Sequence, residues 1–122
     1  MEYTTEYDKN SSVLTITVKG EYKRPQDAKA LQQYMMKFGV ENNCRRFLVN
    51  FKNAHLVGKT VHIFEASVMP GDPNHKLANS RIALVYEQIT EDQKFVENIA
   101  YNIGFRVLVF DDLEKAMAWL TN

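Results

Sequence analysis

Leu14, Ile16 and Val18 alternate with Thr15, Thr17 and Lys19. A period of two turns one face of a strand toward a core and leaves the other facing solvent. Tyr3 to Asp8 reads as a partner strand, joined to the first across the polar turn Asp8-Lys9-Asn10-Ser11-Ser12. Gly20 interrupts the second run, and beyond Pro25 the period changes. Ala28, Leu31, Met35 and Phe38 recur at three- and four-residue intervals, one apolar stripe on a helix. Pro25 suits the first position of that helix and Gly39 its close.

Three later runs are continuously apolar: Phe47 to Phe51, Ile82 to Tyr86 and Val107 to Phe110. Strands of this kind, separated by helices, signal a parallel sheet covered on both faces. Thr90-Glu91-Asp92-Gln93 forms a capping box. It opens a helix with Phe95, Val96, Ile99, Ala100 and Ile103 inward, closed by Gly104. A last helix starts at Asp111-Asp112 and buries Leu113, Ala116, Met117 and Leu120. Val61, Phe64 and Val68 share a face in a further helix from Thr60 to Val68, weakened by its β-branched residues. Met69-Pro70-Gly71-Asp72-Pro73-Asn74 is a loop. The expected order is ββαβαβαβα: one α/β domain over residues 1–122, a mixed five-stranded sheet with four helices on its two faces. Its crossovers should be right-handed.

A chain of 122 residues can bury roughly two-thirds of its unfolded surface without a disulfide or metal to hold it. Fifteen Lys and Arg balance fifteen Asp and Glu, so no net charge draws the chain to nucleic acid. Cys44 is the only cysteine, which excludes an intrachain disulfide and reads as a small buried hydrophobe before a strand. With no basic leader, no signal core and no bilayer-length apolar run, the expectation is a cytoplasmic protein with no membrane span.

Asn53-Ala54-His55-Leu56-Val57-Gly58-Lys59-Thr60 ends like a phosphate-binding loop. Such a loop needs a first glycine where Asn53 stands, because its backbone N–H groups must turn inward around the phosphates. It also follows the first strand of its fold, whereas here two strands and a helix precede it. Asp111, on the strand-to-helix turn, resembles a magnesium-holding acid. With Glu114 three residues on, an N-terminal cap explains it. His55, His62 and His75 match no zinc spacing, and one Cys cannot complete a structural site. His62 and Glu65 share a helical face, the ordinary place of a solvent-facing pair. No Gly-x-Ser-x-Gly elbow is present. The residues therefore point to no enzyme, no metal and no cofactor.

In open α/β sheets ligands gather beyond the carboxyl ends of the parallel strands. Those ends carry the expected loop from His55 through Leu56, Val57, Gly58 and Lys59 to Thr60, then Glu87 to Thr90, and Asp111. Thr60 would start a helix, where an added phosphate would meet free N–H groups; as a plain N-cap it would do the same for its own hydroxyl.

"LTITVKGEY" (14–22), "RRFLVNFKNAHL" (45–56), "RIALVY" (81–86) and "NIGFRVLVFDDLEKAMAWL" (102–120) together resemble the SpoIIAA-like proteins of the STAS and SEC14-like superfamily. The resemblance implies a β-first sheet with four helices. In anti-sigma factor antagonists of this kind, an Asp-Ser-Ser-Gly-like stretch opening the second helix is phosphorylated, and this releases the protein partner. The equivalent stretch is Gly58-Lys59-Thr60-Val61, with Thr60 near the acceptor position, Lys59 new, and the acidic residue and glycine absent. The candidate surface for a partner or a ligand is His55, Leu56, Val57, His62, Glu87 and Asp111, and a homodimer is a further expectation. Two functions follow. The first is a non-enzymatic bacterial regulatory module that meets a protein partner. The second, from the SEC14-like branch, is a binder of a small apolar ligand or lipid.

Overall fold

A computed structural model describes residues 1–23, 26–58, 79–91, 93, 94, 97 and 106–122. Strands β1 (Glu2–Asp8), β2 (Val13–Lys23), β3 (Arg46–Val57), β4 (Arg81–Val85) and β5 (Arg106–Phe110) form one sheet in that order. β1 and β2 pair antiparallel, and every later neighbour is parallel. Helix α1 (Gln26–Asn42) follows β2, and α2 (Leu113–Thr121) follows β5. The expected total of four helices is not met: two are defined among the described residues. Thr60 to Val68 lies outside them. Of the helix opening at Thr90 only Glu91, Gln93, Lys94 and Glu97 are described, all helical.

Strand alternation divides the core in two. Leu14, Ile16, Val18, Phe47, Val49, Ile82, Leu84, Val107 and Val109 pack with Ala28, Leu31 and Met35 of α1. Val13, Leu48, Ala83 and Val85 point the other way, onto Ala116 and Leu120 of α2. The continuous apolar runs in β3 and β4 are thus covered on both sides, as their sequences require. Phe47, Leu48 and Val49 are each at most 1% exposed. Truncating Phe47 to alanine would cost about 3–5 kcal/mol through lost transfer energy and an unfilled cavity.

Each helix end has a local cause. Gly39 does not close α1, which runs on to Asn42. The stop is Asn43, left-handed at φ 50°. Behind it the Cys44 N–H donates to the Gly39 carbonyl at 3.0 Å, the outer bond of a Schellman motif. The Thr90–Gln93 capping box is present in both directions: Thr90 N–H donates to Gln93 Oε1 at 2.8 Å and Gln93 N–H to Thr90 Oγ1 at 3.3 Å. α2 is capped by Asp112 rather than Asp111, its carboxylate accepting from the N–H groups of Glu114 and Lys115 at 2.8 and 3.2 Å. Cys44 is buried as expected, its thiol donating to the carbonyls of Arg46 (3.3 Å) and Ser12 (3.5 Å). Burial raises its pKa, which keeps it protonated and unreactive.

Candidate functional site

The expected loop from His55 is strand. β2 does not stop at Gly20 but continues to Lys23, and β3 runs beside it to Val57. Gly20 takes φ 74° opposite Ala54, a conformation glycine adopts without steric cost. The ladder also shifts register between Thr17 and Lys19. A bulge of this kind bends and twists the pair without ending it. Pairing of β3 with β4 stops at Asn50 and Val85. The end of β3 therefore leaves the sheet as a two-stranded tip with β2, seven residues past Asn50, or roughly 20 Å.

The tip has two faces. Tyr22, Ala54 and Leu56 pack toward the α1-side core. Glu21 pairs with His55 and Lys23 with Val57 on the opposite face, and all four are exposed. Val57 is among the few large apolar residues standing in solvent, at 37% exposure. Of the three strand residues expected to meet a partner, His55 and Val57 face outward and Leu56 does not. Gly58 ends the tip with φ 99°. Lys59, Thr60 and His62 lie outside the described residues.

Glu87 and Asp111 stand apart from the tip. Tyr86 N–H donates to the Phe110 carbonyl at 2.9 Å, holding the ends of β4 and β5 side by side. Glu87 and Asp111, the next residues on each, are both exposed at that end. In register, Glu87 sits two residues past Asn50 and His55 five, a separation of about 10 Å along the strands. Of the expected residues that are described, Glu87 and Asp111 thus form an acidic pair on the sheet end, while His55 and Val57 stand on a mixed polar tip.

Between these two places runs an aromatic row absent from the sequence reading. Tyr22 meets Phe51 edge-on at 4.9 Å, and Phe51 stacks on Tyr86 at 5.2 Å and 12°. The rings cross β2, β3 and β4 on the α1 side, each 5% exposed or less. Each contact adds about 0.5–1.5 kcal/mol beyond area burial, so the row fastens the root of the tip. Its signal in sequence was an aromatic residue near the end of β2, in the middle of β3 and directly after β4. Among the described residues no group of three or more His, Cys, Asp or Glu is placed to hold a metal ion. No described helix is long and apolar enough to cross a membrane.

An antiparallel first strand on a parallel sheet, with helices packed on both faces, is the SpoIIAA-like form of the α/β class. Three solved structures share it. One is an uncharacterised protein of the DUF3478 family with a SpoIIAA-like fold from Shewanella loihica PV-4. It is 12% identical over 98% of this chain and 92% of that one, with a TM-score of 0.58. Another is the anti-sigma factor antagonist SpoIIAA in its unphosphorylated form, 11% identical over 93% and 92%, TM-score 0.56. The third, from Thermotoga maritima, is described as a candidate anti-sigma factor antagonist. It is 12% identical over 98% and 95%, TM-score 0.60. At these identities the likeness is one of fold. No family model matches the chain, and no curated protein matches it in sequence.

Proposed function

We propose that residues 1–122 form a single-domain, non-enzymatic regulatory module that engages a protein partner through the β2–β3 tip. The observation that carries this reading is the outward face of the tip: Glu21, Lys23, His55 and Val57 held on paired strands beyond the sheet. A paired backbone presents side chains at fixed spacing, which lowers the ordering cost of binding. Two of the fold neighbours carry the description of anti-sigma factor antagonists, proteins defined by a protein partner. Thr60, two residues past Gly58, is the proposed phosphate acceptor, with Lys59 as a neighbouring cation. A phosphate there would add about −1.5 to −2 charge next to the tip and so change its complementarity.

The competing reading is an apolar-ligand binder. Tyr22, Phe51 and Tyr86 weigh against it, since their rings occupy the space between sheet and α1 at the carboxyl ends of the strands. Native mass spectrometry of the protein isolated from its own host separates the two. A co-isolated protein chain, absent when His55→Ala and Val57→Asp are combined, supports the module. A retained apolar small molecule with no protein partner contradicts it. The same spectra report whether phosphate is carried, and peptide mapping places it at Thr60 or elsewhere.

A further inference from the structure

The opposite end of the parallel strands carries four of the chain's five arginines: Arg45, Arg46, Arg81 and Arg106. Strand register sets three of them in one line, Arg46 beside Arg81 and Arg81 beside Arg106. They share the α2 side of the sheet, because Phe47, Ile82 and Val107 next to them point into the α1-side core. Neighbouring strands lie about 4.8 Å apart, and like charges side by side on a sheet are destabilising. No ion pair among the described residues involves any of the three. The acid in the same register row is Asp8, separated from Arg46 by Val13. Its carboxylate accepts from the Asn10 N–H at 2.9 Å.

Two of the guanidiniums are held in place by carbonyls. Arg46 Nη1 donates to Ser11 O at 2.7 Å, and Arg81 Nη1 to the carbonyls of Trp119 and Asn122 at 3.0 Å each. Each of these two arginines uses one nitrogen of its five-donor fork. Arg106 is exposed and makes no described bond. Among the described residues the row is therefore anchored at two positions and open at the third, with no side-chain counter-ion of its own.

We propose that the Arg46–Arg81–Arg106 row is a docking edge for an acidic polypeptide segment. Carboxylates three or four residues apart on a helix are about 5–6 Å apart, in step with arginines on adjacent strands. Arginine forks take carboxylates in bidentate pairs. Nucleic acid fits less well: the row spans only about two strand spacings, and a chain of net charge zero lacks the broad basic field that phosphate backbones require. This edge lies at the far end of the strands from the β2–β3 tip, so it stands or falls separately from the tip reading.

The test is calorimetric titration of the full chain with an oligoglutamate peptide, with inorganic phosphate and a single-stranded oligonucleotide run in parallel. The peptide saturates, binds more weakly as salt rises, and loses about tenfold in affinity with Arg106→Gln. Arg106→Gln leaves thermal stability unchanged, and Lys37→Gln, a neutralised surface cation on α1, leaves affinity unchanged. The proposal is overturned if the peptide does not saturate, or if Arg106→Gln binds as the natural chain does. It is equally overturned if Lys37→Gln weakens binding as much, or if phosphate or the oligonucleotide binds as tightly as the peptide.

Discussion

Arg81 and Trp119 hold each other twice. The guanidinium carbon lies 5.8 Å from the centroid of the indole, and Nη1 donates to the Trp119 carbonyl at 3.0 Å. The contact ties the start of β4 to the last turn of α2, where a cation also favours the negative end of the helix dipole.

Arg81→Met keeps the aliphatic stem and removes both interactions. It should lower stability by about 2 kcal/mol, measured by urea denaturation, since it leaves the part-buried Trp119 carbonyl unpartnered and ends the cation–π contact. Arg81→Lys should recover only part, because an ammonium lacks the planar guanidinium face that meets the indole. A loss near zero for Arg81→Met would show that α2 does not depend on this contact.

Gly39 sets helix propensity against packing. In an open helix Gly→Ala stabilises by about 1 kcal/mol. Here a Cβ would stand 2.9 Å from the Cys44 carbonyl oxygen and 3.3 Å from the Phe47 ring. The first neighbour is backbone of the Schellman turn and cannot step aside cheaply. Gly39→Ala should therefore destabilise by about 1–3 kcal/mol in thermal unfolding. A rise in melting temperature would mean that the turn yields.

Asp111 and Asp112 have different duties despite being neighbours of one kind. Asp112→Ala should cost about 1 kcal/mol as the loss of an N-cap, while Asp111→Ala should change stability little. Paired chemical denaturation of the two variants decides it, and the reverse order would return the cap to Asp111.

Asp8 has its pKa lowered below the ordinary aspartate value, chiefly by the Asn10 N–H that donates to its carboxylate at 2.9 Å. A depressed folded-state pKa adds stability that is fully present above the unfolded value and is lost as pH falls through the folded one. The stability gap between the natural chain and Asp8→Ala should narrow on acidification below about pH 4. An NMR titration should place the Asp8 midpoint below that of an unfolded aspartate; a midpoint above it contradicts the hydrogen bond from Asn10.

Much of this architecture was legible where a short motif suffices. Thr90 and Gln93 cap each other because two residue types three apart are enough to specify the box. The apolar runs in β3 and β4 announced burial on both faces. Where two residues of similar chemistry compete, backbone conformation decides, and sequence does not display it. Asp112 has the extended φ −138°, ψ 124° of a cap, and Asn43 rather than Gly39 takes the left-handed turn. The backbone around His55 was misread as a loop for a longer-range reason. Gly20 looks like the end of a strand, yet it passes through a positive φ while its ladder with β3 continues. The expected loop around His55 is therefore paired backbone. The arginine row had a local sign, one arginine directly before each of three apolar runs. Only the register of strands far apart in sequence sets those arginines side by side.

The central claim is that the outward face of the β2–β3 tip meets a protein partner. Its most direct measurement is photo-crosslinking in the host, with a reactive residue placed at His55 and, separately, at Lys37 on α1. The account predicts one defined protein adduct from position 55 and none from position 37. Adducts of equal yield from both positions, or none from position 55, would contradict it.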